Sequence, residues 1–230
     1  MKIPLSQRLL TCCQFVKKGD RVADIGCDHG YLGIHLLTNG VASAVIAADV
    51  KVGPLQSAMR NAMKFGVRSK MQFYLSDGVR NIPRDFDTMV CAGMGADTMI
   101  SILSAAPWLK GDYRLILQCQ SKRPELRKWL YDSGYRIERE TLAQDGKFIY
   151  PVMEVVYAPS QPLTAGQYHI TPALLASDSA LLPDFYNRVV SGLRTTVEGL
   201  SCSESPRLTE FQSILTELEA MEEQINGNRC

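Results

Sequence analysis

A short apolar run, Val22-Ala-Asp-Ile25, leads directly into Gly26-Cys-Asp-His-Gly30, and a helix-like stretch opens at Tyr31. No other segment restricts the fold so tightly. A strand that breaks into glycines and restarts as a helix must turn sharply, and glycine lets the backbone come close to a ligand at that turn. Loops of this kind lie at the carboxyl ends of strands in open α/β sheets, where nucleotide-like ligands bind. Gly26, Gly30 and Gly33 are separated by three and two residues, so the spacing departs from the G-x-G-x-x-G of dinucleotide folds. Asp24, Cys27, Asp28 and His29 complete the loop.

The remaining pattern alternates. After an amphipathic helix over 4–16, strands are expected at 22–25, 44–48, 71–75, 88–92 and 113–119. Helices are expected at 31–38, 54–65, 96–105 and 123–131, with Pro54 as a start and Gly66 and Gly134 as stops. Segments 135–142 and 148–157 flank Asp145-Gly146, a hairpin signal. This order implies an α/β fold with a doubly wound, mainly parallel sheet closed by a hairpin. Ala158-Pro-Ser-Gln-Pro162 reads as a linker that divides residues 1–159 from a helical region over 160–230. In that region Leu182, Tyr186, Val189, Leu193, Thr196 and Leu200 recur at helical spacing. So do Phe211, Ile214, Leu218, Met221 and Ile225, after a break at 201–206, giving an α-helical hairpin. Its expected role is packing, because Glu217, Glu219, Glu222 and Glu223 would not face nucleic acid.

Charge is unevenly spread. The net value is +1, yet residues 1–160 hold 21 Lys+Arg against 15 Asp+Glu, and the remainder holds 4 against 9. A basic front part suits a polyanionic partner, with ordinary solvated charge as the alternative. Seven cysteines, an odd number without a C-x-x-C pair, argue against a disulfide framework and a zinc site, so no metal is expected. No apolar run reaches the length of a membrane span, and the opening Met1-Lys-Ile-Pro-Leu-Ser6 does not read as a signal peptide. A cytoplasmic protein with reduced thiols, off the membrane and monomeric, is the expectation.

Candidate functional residues fall after successive strands. Asp49-Val50 ends the second, where one carboxylate suits both hydroxyls of a ribose. Asp77-Gly78 follows the third, Gly93-Met94-Gly95 the fourth, and Gln118 the fifth. Each has a plainer role open to it: Asp24 as a turn cap, Asp77-Gly78 as a common turn pair, His29 as a brace for Asp28. Arg8, Lys122, Arg123, Arg127 and Lys128 are candidate phosphate contacts, with helix-surface charge as the alternative.

The glycine loop resembles the D/E-x-G-x-G-x-G loop of S-adenosylmethionine-dependent methyltransferases, with Asp28 where the middle glycine usually stands. Together with Gly53-Pro54, Ser76-Asp-Gly78, Ala92-Gly-Met-Gly95, Leu117-Gln118 and Arg127-x-Trp-Leu130, it makes the chain from Leu5 to about Tyr157 similar to the bacterial TrmK family. The helical tail resembles that family's coiled-coil-like second domain. The resemblance implies a class I, Rossmann-like methyltransferase sheet, S-adenosylmethionine as cofactor, tRNA as partner, and methyl transfer to N1 of adenine 22. On this footing Asp24, Gly26, Cys27, Gly30, Asp49, Val50, Asp77, Gly78, Gly93, Met94 and Gly95 would contact the cofactor, Asp77 through the adenine amino group. Arg8, Gln118, Lys122, Arg123, Arg127 and Lys128 would contact the substrate, and Asp28 with His29 would serve catalysis. Ala96 stands where the family has a second glycine, and Cys119-Gln120 where it tends to have Pro-Asn. A methyltransferase for a small molecule or protein, and a non-catalytic RNA-binding module, are the rival classes.

Overall fold

The structure, a computed structural model, describes residues 2–201, 207–222 and 225. Residues 202–206 of the expected break, and Glu223, lie outside the described residues. Five parallel strands form most of one sheet: β1 (Arg21–Ile25), β2 (Ala44–Asp49), β3 (Met71–Leu75), β4 (Thr88–Met94) and β5 (Arg114–Cys119). An antiparallel pair, β6 (Tyr135–Asp145) and β7 (Phe148–Tyr157), closes it, and the strand order is β3-β2-β1-β4-β5-β7-β6. The order reverses between β1 and β4, so the loop after β1 opens at the switch point where α/β sheets bind ligands.

Alternate residues of each strand feed two cores. Val22, Val45, Val90 and Ile116 face α1 (Gln7–Phe15), α2 (Tyr31–Thr38) and α3 (Val52–Lys64). Their neighbours Ala23, Ile46, Met89 and Leu115 face α4 (Ala96–Ser104) and α5 (Arg123–Asp132). Each fully buried aliphatic side chain contributes about 1.5–3 kcal/mol, which is why strands with no polar face hold the centre.

The structure departs from the sequence expectation at several points. Helix α3 begins at Val52, two residues before Pro54; a proline in the first turn removes only an N–H that has no partner there. Strand β4 continues past Ala92 to Met94 across a register shift, with Gly93 at φ +83° taking up the bulge. Beyond the linker lie a 3-10 turn, Gly166–Tyr168, and a single-turn α6 (Pro172–Leu175), neither of them expected. Thr171 caps α6 by accepting the Leu174 N–H at 3.0 Å.

The tail forms α7 (Leu182–Ser201) and α8 (Leu208–Ala220), joined by the Tyr186 hydroxyl donating to the Leu218 carbonyl at 3.0 Å. Its core contains Leu182, Phe185, Tyr186, Val190, Leu193, Ile214 and Leu218 together with Leu142 and Ile149 from the β6–β7 hairpin. The seam therefore shifts to Phe185 and Val190; Val189 is half-buried and Thr196 exposed, because the helices pack on the hairpin as well as on each other. The hairpin reaches past the sheet to make this contact: β7 pairs with β5 only from Met153 to Val156, but with β6 along its whole length. Among the described residues, no helix is long and apolar enough to cross a membrane.

Candidate active site

The loop after β1 is held by its own backbone and by one carboxylate. Gly26 and Cys27 both donate to the Ala48 carbonyl, at 2.8 and 2.9 Å, and Gly30 donates to Cys27 at 2.7 Å. Asp49, buried at the end of β2, accepts the Asp28 N–H on Oδ2 at 3.1 Å and the Lys51 N–H on Oδ1 at 2.9 Å. Each oxygen keeps a second lone pair for a ligand hydroxyl. Asp28 adopts φ +47°, a left-handed conformation that Asp tolerates better than most residues, and its side chain is 70% exposed. His29 Nε2 stands 3.7 Å from Asp28 Oδ1, too far for a hydrogen bond, while the Asn61 side chain ties the His29 carbonyl to α3 at 3.0 Å.

Asp24 is the unusual member. It is buried in β1, and its Oδ2 has no partner among the described residues. Burial pushes its pKa up to about 7, with the neighbouring carboxylates of Asp49 and Asp28 adding to the rise. A hollow of about 290 Å³ lies against it, lined also by Ser6, Arg8, Gly26, Asp28 and Tyr31. Ser6 precedes α1 where a serine normally caps the helix, yet it makes no cap bond, and its hydroxyl is buried and unpartnered beside the same hollow. Ser6 has no place in the sequence reading, because a serine ahead of a helix is an ordinary cap residue and nothing local aims it into a cavity. A small ligand with a cationic end would satisfy both orphaned groups.

Close packing shapes the floor. A Cβ on Gly30, at φ +70°, would sit 2.8 Å from Ala58 Cβ, and one on Gly26 would run into the Met94 methyl group. Val50, 64% exposed, and the half-exposed Leu75 flank the ends of β2 and β3, while Asp77 is exposed with only a 3.4 Å pairing to Arg80. Gly78, at φ +59°, packs against Ile102. These groups offer apolar surface and an acceptor for a planar base with an amino group. Burial also pushes the Cys27 thiol up, so Cys27 lines the hollow as an apolar neutral group.

On the other side of the loop, Gln118 is fully buried. Its Oε1 accepts from Arg8 Nη1 at 3.0 Å and from the Gly93 N–H at 3.1 Å, and its Nε2 has no partner among the described residues. Arg8 also pairs with Asp145 at 3.2 Å, so α1, the Gly93–Gly95 turn and the hairpin meet at one guanidinium. Gln120 donates its N–H to the Met94 carbonyl at 2.9 Å, strapping the turn after β5 to the turn after β4.

The candidate phosphate contacts divide. Arg127 is a correction: its side chain is 1% exposed and is ion-paired with the fully buried Glu140, which also accepts the Thr171 hydroxyl. Nη1 donates to the carbonyls of Tyr168 and His169 at 3.0 and 2.8 Å. No phosphate reaches it, because the whole guanidinium is buried, including an Nε that has no partner among the described residues. Arg123 is half-buried over the Phe185 ring at 5.1 Å. Lys122 and Lys128 are exposed and paired with Asp97 and Asp132, each at 2.7 Å, contacts weak enough to exchange for another anion.

Comparison with known proteins agrees with this geometry. Residues 5–153 match the family model described as Methyltransferase domain. A 149-residue stretch is 37% identical to the tRNA (adenine(22)-N(1))-methyltransferase of Bacillus subtilis, covering 64% of this chain and 63% of that relative's length. The crystal structure of the B. subtilis m1A22 tRNA methyltransferase TrmK superposes with a TM-score of 0.79 at 27% identity, over 98% of this chain and 99% of that one. Streptococcus pneumoniae Sp1610, solved in complex with S-adenosyl-L-methionine, gives a TM-score of 0.78 at 26% identity, over 95% and 99% of the two chains. On the match over residues 5–153 the chain belongs to the methyltransferase domain family, and its likeness to the TrmK structure runs over 98% of this chain.

Proposed function

We propose that the protein transfers a methyl group from S-adenosylmethionine to N1 of adenine 22 in tRNA. The observation that carries this reading is the hollow over the β1 loop, where the orphaned Asp24 carboxylate awaits a cationic partner next to Asp49 and an exposed Asp28. In this reading Asp24 pairs with the ammonium of the cofactor's amino acid end, Asp49 takes the ribose hydroxyls, and Asp77 takes the adenine amino group beside Val50. When bound, the cofactor supplies an electrophilic methyl group.

The chain's own part is alignment and charge. Adenine N1 has a free lone pair, so no base is needed to activate it, and the gain comes from holding the acceptor in line. The methylated ring becomes cationic, and Asp28 offers the nearest exposed carboxylate of the loop to stabilise that charge. The turn at Gly93–Gly95, braced by Gln118 and Arg8, forms the wall on the acceptor side. Lys122, Arg123 and Lys128 are proposed to meet backbone phosphates of the RNA. Residues 1–159 would form the catalytic unit and 160–230 the helical one. A reducing, cytoplasmic setting fits the five described cysteines, which are all buried and free.

The test is methyl transfer from labelled S-adenosylmethionine to unmethylated tRNA transcripts, with the product nucleoside identified by mass spectrometry. N1-methyladenosine that disappears when adenine 22 is replaced supports the reading. Cofactor binding without transfer to any tRNA overturns it.

A further inference from the structure

Beside the catalytic hollow lies a second cleft, of about 450 Å³, of which the reading above uses only Arg123 and the turn at Gly95. Its floor is the turn at Gly95 with Gln120 and Ser121, one wall is the hairpin tip, and the other is α7. The two hollows share a partition. A Cβ on Gly93 would lie 3.1 Å from Arg8 Nη1, on the catalytic side, and 3.7 Å from the Gln120 amide, on the cleft side. A polymer that delivers a base to the first hollow is therefore within reach of the second.

The cleft is lined by the rings of Phe148, Tyr150 and the buried Phe185, by two arginines and, among the described residues, by no carboxylate. Phe148, at the hairpin tip, is 53% exposed although it is a large apolar side chain, with Tyr150 at 6.1 Å between ring centroids and the Lys147 ammonium 5.3 Å from its ring. Arg188 of α7 donates one N–H to the Lys147 carbonyl at 2.6 Å, which fixes the opposite wall to the hairpin and leaves four other donors on the fork. Arg123 stands over the Phe185 ring, 5.1 Å from its centroid. A neighbouring hollow of about 360 Å³ shares Gln120, Ser121, Arg123 and Arg188, so the groove continues along α7. Exposed aromatic faces interleaved with cations are the physical means of holding unpaired nucleotides, through base stacking and phosphate contact.

We propose that this cleft is a stacking slot for an unpaired nucleotide adjoining the target adenine, with Phe148 as the platform and Arg188 as the phosphate or stacking partner. The proposal rests on the tRNA reading above and extends it: the helical tail supplies half of a nucleotide site, in addition to its packing role. A base turned out of a folded RNA leaves its neighbours unstacked, and a slot next to the catalytic hollow would recover that stacking.

The test measures tRNA affinity and methyl-transfer KM for the full-length protein, its Phe148→Ala, Phe148→Trp and Arg188→Ala variants, and tRNAs abasic at either neighbour of adenine 22. Phe148→Ala is expected to weaken tRNA binding about tenfold, Trp to restore it, and S-adenosylmethionine affinity by calorimetry to stay unchanged. An abasic neighbour should weaken the wild type similarly and add little to Phe148→Ala, which a merely structural role for Phe148 would not produce. A wild type that methylates tRNA, with variants that bind it equally well or with abasic and Phe148→Ala effects that simply add, overturns the slot and leaves the function standing. A wild type that neither binds nor methylates tRNA overturns both.

Discussion

Replacing Arg127 with methionine decides whether that arginine belongs to the fold or to the RNA surface. In the structure its guanidinium is 1% exposed, bonded to Glu140 and to the carbonyls of Tyr168 and His169. Methionine fills similar volume but strands Glu140 in the interior with only Thr171 as a partner, and orphans both carbonyls. Breaking a buried pair from one side costs about 3–5 kcal/mol, a large share of the roughly 5–15 kcal/mol that holds a domain folded. For a chain of this size that corresponds to a fall in Tm of roughly 6–20 °C. The assay is urea denaturation followed by tryptophan fluorescence, with Trp129 two residues away as the reporter. Arg127→Lys should also destabilise, since one ammonium cannot span Glu140 and two carbonyls as the fork does. Replacing the pair together, Arg127→Met with Glu140→Leu, should recover much of the loss. A stability change below about 1 kcal/mol in Arg127→Met, accompanied by loss of tRNA affinity, would refute the argument and return Arg127 to the list of phosphate contacts.

Other expectations are as follows. Asp24 has a folded pKa of about 7, above its unfolded value, so the folded chain holds the proton more tightly and stability falls as pH rises from about 4 through 7. Asp24→Asn should flatten that decline, worth at most about 4 kcal/mol, in cofactor-free denaturation curves. If Asp24 pairs with the cofactor's ammonium, S-adenosylmethionine should bind more tightly at pH 8 than at pH 6 in the wild type only, as read by calorimetry. Asp28→Asn keeps the N–H that bonds Asp49 and tolerates φ +47°, so cofactor affinity should hold while kcat drops roughly tenfold to a hundredfold; full turnover would remove Asp28 from the mechanism. Gly30→Ala forces a Cβ to 2.8 Å from Ala58 at a left-handed φ, for a loss of about 2–4 kcal/mol in thermal or urea melts.

The strands and helices around the β1 loop were legible because their signals are local: apolar runs of strand length, glycine stops, and the Asp145-Gly146 turn. What escaped depends on distant partners. Nothing near Arg127 in sequence reveals that Glu140 and two carbonyls beyond the linker will enclose it, so a lone arginine on a helix reads as surface. The short α6 did carry a signal, Thr171 as cap with Pro172 at the first position, but four residues give no periodicity to detect. At the site, the acids after β1, β2 and β3 were visible from their place in the chain order. The orphaned state of Asp24, and the way Asp49 spends an oxygen on the Asp28 N–H, arise only when β1 and β2 lie side by side.

The overlong β6–β7 hairpin changes what counts as a separable part. Leu142 and Ile149 belong by chain order to the sheet, yet they complete the apolar interior of α7 and α8, and Glu140 reaches beyond the linker to Thr171. Modularity in the sequence is therefore not modularity in cooperativity. A fragment cut after Tyr157 would carry a bare apolar hairpin end and an unsatisfied arginine, and a tail grafted onto another protein would arrive without Leu142 and Ile149, on which its interior closes. The hairpin, and not the linker, is the unit that has to travel with either piece.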